Sequence, residues 1–466
     1  MTKENNSTKG YQLSQPENDG LYTELRLQEN VRQVIQLLNG DVTENTRERV
    51  SGCSARVCKQ GQWGFASAPD IAESAINKVL LEARQNAEFL ARRQGDKAHQ
   101  LPESAFSTTQ DLSSSRPVPT LKEQMVFLQT VDRYILDHCP QLQSRVLRLH
   151  LEDIEKRLTT SSGSDGYTLI PRSVLYITLT IQNAQDEPVD LTHVYSNRGQ
   201  YQDNLTNPAM LYQEIDGLYQ HLLNKKEAVP AQAGVKEVIL DSEMTGLLAH
   251  EAIGHPTEAD LVLGGAVTAH LLNQSVASPM VTMVDLAHSH NGDLLPVPVF
   301  MDDEGAEAKD TVLIEQGVLK QFMTNRSTAA ELGMAVTGNA RAFKFYDEPL
   351  VRMRNTAILP GKDKLADMIA SVEDGYYLMK STNGEADLTS EFMFGITLGY
   401  EIKNGQLGRA IQDTTVSGIA LDVLKTVTMI SDELHWECSG YCGKKQIIPV
   451  GCGGPAIKCK MHVGGV

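Results

Sequence analysis

No run of about 18 apolar residues occurs anywhere in the 466-residue chain, so no segment is suited to cross a membrane as a helix. The N-terminal stretch MTKENNSTKGYQLSQPENDG is polar and lacks the apolar centre of a secretion signal, and a cytoplasmic protein is expected. Positive charge is scarce. Lys and Arg number 42 against 59 Asp and Glu, a net charge of −17, which would repel a phosphate backbone and argues against direct nucleic-acid binding. Paired CxxC spacing is missing as well. The seven cysteines are odd in number, with Cys53, Cys58 and Cys139 early and Cys438, Cys442, Cys452 and Cys459 late. That argues against a disulfide framework or a zinc ribbon and for reduced thiols. There is no internal repeat and no low-complexity tract of consequence.

What is present is a globular composition, 41% hydrophobic and 22% charged, in a chain longer than one hydrophobic core usually supports. The expected class is α+β in two domains. Residues 1–20 are expected to be disordered. From residue 21, LYTELRLQEN, VRQVIQLLNGD and GCSARVCKQGQWGFAS alternate apolar and polar residues between turn signals, which predicts a meander of antiparallel strands. Helical spacing predicts two long amphipathic helices, in PDIAESAINKVLLEARQNAEFLARRQ and PTLKEQMVFLQTVDRYILDHCP. Alternation resumes over residues 142–200, a helix follows near MLYQEIDGLYQHLLNKKEA, and the polar stretch Ala228–Gly234 marks a boundary between an N-terminal α+β domain (21–228) and a C-terminal one (229–466). The second domain reads as predominantly β, with hairpin turns at Gly317 and at Asn404-Gly405.

One of its few helices, expected over about Ser242 to Ala259, carries His250, Glu251 and His255 inside the apolar run LLAHEAIGH. Burying three such groups without a purpose is costly. Histidines five apart lie about 140° apart around a regular α-helix, against about 40° for the four-residue spacing of HExxH. A π-type turn closing over five residues would bring both rings to one face, and Gly254 makes that distortion easier. Two unrelated core histidines remain the alternative. If zinc is bound, Glu251 suits a general base, and a third ligand is required. Glu258, Asp260, His270, His288, His290, Cys442 and His462 are all open for that place, and spacing does not choose among them. Carboxylates like Glu258 and Asp260 also serve as partners of ligating histidines.

HEAIGHPTEAD resembles the metal-binding segment of the TldD/PmbA family, in its TldD-like metallopeptidase branch. RVCKQGQWGFAS upstream, and FMDDEGAEAKDTVLIEQGVLKQFMTN, MAVTGNARA, VRMRNTAILPG, DLTSEFMF and YCGKKQIIPVGCGGP downstream, follow the same family in order, over nearly the whole chain beyond residue 20. Pro256, where the family commonly has Gly, is a departure. The resemblance implies an α+β N-terminal domain, a β-rich C-terminal domain, and a zinc ion on His250, His255 and Cys442 with Glu251 as catalytic base. Cys438, Cys452 and Cys459 are left with structural roles. Glu258 and Asp260 become candidate partners of the ligands, while Asn339 and Arg352 are candidates for contact with substrate backbone or for holding loops together. It further implies a homodimer, or a heterodimer with a related family member, enclosing the metal in a chamber that admits unfolded peptides. The alternative is a non-catalytic regulatory subunit tied to proteolysis or to modulation of DNA gyrase, against which the retention of all four residues counts.

Overall fold

Strand β1 runs unbroken from Tyr22 to Leu38 in the computed structural model, which describes residues 21–95, 100–102 and 105–464. The expected disorder of residues 1–20 lies outside the described residues. Two segments predicted as separate strands are therefore one, and the reason is tertiary. Asn30, which reads as a break, donates through Nδ2 to the carbonyl of Phe343 at 2.9 Å, and Gln28 donates to Asn30 Oδ1 at 2.8 Å. Polar side chains that would end an isolated strand are satisfied here by a segment some 300 residues away.

Asn39-Gly40 and Gln60-Gly61, all with positive φ, turn β1 into β2 (Asp41–Lys59) and β2 into β3 (Gln62–Ala68). The sheet continues through β4 (Ser107–Asp111), β5 (Ser144–Thr160), β6 (Asp165–Gln182) and β7 (Pro188–Arg198) in the order β3-β2-β1-β5-β6-β4, with β7 also on β6. All pairings are antiparallel except β4 with β6. Helix α1 (Glu73–Gln94) buries the stripe Ile76, Val79, Ala83, Ala87 and Ala91. It lies so close to β3 that a Cβ at Gly64 would meet the carbonyl oxygen of Ala83 at 2.1 Å. Helix α2 (Leu121–His138), opened by a Thr120–Glu123 capping box, packs with α3 (Tyr212–Lys226) over the same sheet around Leu128, Val131, Ile215 and Leu222.

Beyond residue 233 strands dominate. Strands β8 (Gly234–Leu240), β9 (Asp374–Ala386), β10 (Glu391–Lys403), β11 (Thr414–Ile419) and β12 (Ile457–Val463) close into a barrel in the order β9-β8-β12-β11-β10, with β10 returning to β9. A six-stranded sheet lies beside it. Buried ion pairs join this region to the first sheet. Arg56 bridges Glu24 at 3.1 Å and Glu304 at 2.8 Å, and Lys156 meets Asp303 at 2.7 Å. No helix among the described residues is long and apolar enough to cross a membrane.

Candidate metal centre

Between β8 and the metal motif the chain changes its helical pitch. Asp241 caps an α-helical turn, Ser242–Leu247, Leu248–Gly254 is a π-helical turn, and His255–Thr257 is a 3-10 turn that gives way to extended backbone at Glu258. The single expected helix is thus three helical forms in sequence. The amide of His255 donates to the carbonyl of His250, five residues back. Pro256 has no N–H to continue the ladder, and Thr257 Oγ1 donates to the carbonyls of Ile253 and Gly254 at 3.0 and 2.8 Å. The wide turn sits in the main core with Leu240, Met244, Leu248, Ile253 and Met353. Its contact with Met353 needs a glycine, since a Cβ at Gly254 would lie 2.1 Å from the Met353 sulfur.

The π turn sets the rings of His250 and His255 5.3 Å apart, nearly perpendicular. Cys442 arrives from a separate hairpin, Tyr441–Lys444 paired with Gln446–Pro449. One ligand atom from each of His250, His255 and Cys442 falls within 4.8 Å of the others. Cys442 Sγ is 3.2 Å from His255 Nε2. The Glu251 carboxylate is 3.7 Å from the same nitrogen and partly exposed. His250 is buried, and neither of its ring nitrogens meets a partner of hydrogen-bond geometry among the described residues; its polar neighbours are the sulfurs of Cys442 and Cys452. Two imidazoles and a thiol converging in this way, one ring with both nitrogens unspent, form a donor set that fits zinc.

Electrostatics favour a thiolate. Burial works to raise the Cys442 thiol, but His250 and His255 hold it down at about 4. Burial opposes charge on His255, and Glu258 with Cys442 brings it up to about 9. Glu258 is fully buried and accepts from His255 Nδ1 at 2.8 Å. Its burial is outweighed by His255 and Lys444, which hold it at about 2. Lys444 Nζ reaches both Glu258 and Asp260 at 3.0 Å.

Arg352 and Asn339 are buried completely. Arg352 donates to the carbonyls of Cys442 at 2.7 Å and Gln446 at 2.9 Å, so it holds the hairpin that carries the thiol. Asn339 bonds Asp285 and the carbonyl of Arg352. In this structure both side chains hydrogen-bond to loops in the interior. His270 and His462 are exposed, His288 stacks on Phe300, and His290 lies in a two-residue strand; none joins the cluster. Two residues escaped the sequence reading. Lys444 was legible in principle, since i and i+2 of a strand share a face and it follows Cys442 by two. Cys452, read as structural, neighbours His250, and nothing local to it signals that. All seven cysteines are free.

Two family models match the chain, the PmbA/TldA metallopeptidase C-terminal domain over residues 233–465 and domain 1 of the same metallopeptidases over residues 23–87. A zinc metalloprotease TldD homolog of Saccharolobus solfataricus is 30% identical over 421 residues, 89% of this chain and 90% of its own. The chain belongs to the PmbA/TldD metallopeptidase family. A metalloprotease of Archaeoglobus fulgidus is 30% identical over 459 residues, 95% of this chain and 99% of its own. Two solved structures share the fold. A putative modulator of DNA gyrase from Thermotoga maritima superimposes with a TM-score of 0.78 at 18% identity, over 96% of both chains. TldE from Thermococcus kodakarensis gives 0.75 at 15% identity, over 95% of this chain and 97% of its own.

Proposed function

We propose that this chain is a zinc-dependent peptidase that hydrolyses unfolded or flexible peptides, with zinc on His250, His255 and Cys442. The observation that carries the reading is the convergence of those three donors within 4.8 Å with the Glu251 carboxylate 3.7 Å from one of them. Zinc held there supplies a Lewis acid that polarises the scissile carbonyl and acidifies water. Glu251 Oε2 takes the proton of the attacking water and passes it to the leaving amine. Glu258, by accepting from His255 Nδ1, fixes the tautomer that turns Nε2 toward the metal. Lys444 holds Glu258 and Asp260 in place behind it.

The names of the similar proteins support a metallopeptidase; work as a pair, with a second copy or with a related family member, around an enclosed chamber is part of the same proposal, as the family resemblance implies. Free thiols fit a cytoplasmic, reducing setting. The test is elemental analysis of freshly purified protein, alongside cleavage of an unfolded peptide, for the wild type, Glu251→Gln and Cys442→Ser. One zinc per chain is expected in the wild type and in Glu251→Gln, with cleavage lost in the latter and zinc depleted in Cys442→Ser. A wild type without zinc or chelator-sensitive cleavage would instead indicate a regulatory subunit.

A further inference from the structure

A cavity of about 500 Å³ opens beside the metal centre. Leu247, Gly440 and Cys452 line it where the two adjoin. Gly440 stands two residues before Cys442, and the sulfur of Cys452 neighbours His250. Glu243 also lines the cavity. It lies on the α-helical turn Ser242–Leu247 that leads directly into the π turn carrying Glu251.

The wall is charged, and unequally so. It presents the carboxylates of Asp190, Glu243 and Glu437 against one ammonium, Lys380. Lys380 is engaged by Glu243 at 3.0 Å, and burial keeps His193 toward its neutral form. Glu437 stands directly across the strand pair from Cys452. Among the described residues it has no ion pair, accepting from Ser196 Oγ at 3.4 Å. Burial, with Glu243 adding to it and with Lys380 and the Ser196 hydrogen bond opposing, pushes Glu437 up to about 7. A carboxylate in that state, in the wall of a cavity, gains from an incoming cation.

Resting on the peptidase reading, we propose that this cavity binds the side chain of a substrate lysine or arginine within the few residues flanking the cleaved bond, with Glu437 as the recognising charge. An extended peptide advances about 3.3 Å per residue, and the cavity reaches the centre through Cys452, which neighbours His250 and pairs across the strands with Glu437. A free peptide N-terminus offers the same ammonium chemistry, so the test separates the two sources.

The experiment uses the full-length, zinc-loaded protein and unfolded peptides that differ at one flanking position, lysine or norleucine, each with a free and an acetylated N-terminus. KM is measured on the wild type, and equilibrium binding on Glu251→Gln. The lysine peptide is expected to bind about tenfold tighter, whether or not it is acetylated. Glu437→Gln removes the difference, Glu437→Asp restores part of it, and Lys380→Gln enlarges it, all with zinc content as the check on folding. Equal affinities, a preference that vanishes on acetylation, or one that survives Glu437→Gln overturns the proposal. Binding read on Glu251→Gln keeps the two readings apart. A wild type that binds lysine peptides selectively and cleaves nothing sinks the peptidase reading, whereas cleavage without selectivity sinks this one.

Discussion

His255 donates its amide to the carbonyl of His250, one residue further back than an α-helix allows. That bond turns a five-residue spacing, which would splay two imidazoles apart, into one that brings them together over a thiol. The motif thus depends on a local widening of the helix, and the widening depends on what packs against it.

Gly254 is the point at which it is most exposed to change. Gly254→Ala drives a methyl into Met353 and is expected to cost about 1–3 kcal/mol, read as a fall in melting temperature of the zinc-free protein. Gly254→Ala combined with Met353→Ala should recover part of the loss. An unshifted melting temperature in the single variant would show that the turn does not rely on this contact.

Arg352 holds the ligand hairpin by its backbone carbonyls and adds positive charge near Glu258. Replacing it with methionine removes the donors to the carbonyls of Cys442 and Gln446, leaving buried acceptors unpaired at about 1–3 kcal/mol each. Zinc affinity should fall about 10–100-fold, as measured by competition with a chelator. Affinity equal to the wild type would mean that the hairpin keeps its place without the guanidinium.

His150, in β5, stacks on Tyr441 next to the ligand hairpin. Burial, with Arg32, Arg172 and Arg148, holds it at about 3, below its ordinary 6.5. The folded protein therefore keeps this ring neutral while the unfolded chain takes up a proton. Its contribution to stability is full above about pH 6.5 and is lost progressively toward pH 3. His150→Gln should flatten the fall in melting temperature between pH 7 and pH 4; parallel curves for the two proteins would disprove it.

Arg56 stands between two buried carboxylates, Glu24 and Glu304. Arg56→Met strips the cation from that group and is expected to destabilise by about 3–5 kcal/mol, visible as a lower urea midpoint. Adding Glu24→Gln should return part of the stability. If the double variant is no better than the single one, the charge on Glu24 is not what Arg56 balances.

The helices and hairpin turns of this fold could be read from spacing because their causes are local. Apolar stripes make α1 and α2, and paired residues with positive φ make turns at Asn39-Gly40 and Asn404-Gly405. The unbroken β1 could not be, because the carbonyl that satisfies Gln28 and Asn30 belongs to Phe343. The candidate site divides the same way. His250, Glu251 and His255 were legible as one candidate motif, and their spacing named a π turn as the condition for both rings to meet, the turn found at Leu248–Gly254. The part of Cys442 came from resemblance alone, since no local pattern joins it to residues some 190 positions earlier. Cys452 and the cavity beyond it depend on strand pairing across the C-terminal region, which periodicity does not encode.

The barrel has a consequence for the protein's birth on the ribosome. Strand β8 opens the C-terminal region, and one of its neighbours is β12, residues 457–463. Such long-range pairing must wait for both partners, so β8 and the metal motif that follows emerge more than 200 residues before the strand that seals them. Cys442 itself leaves the ribosome late. A nascent chain therefore carries His250 and Glu251 through about 190 further residues of synthesis before Cys442 can join them, and the three donors meet only after that hairpin has emerged.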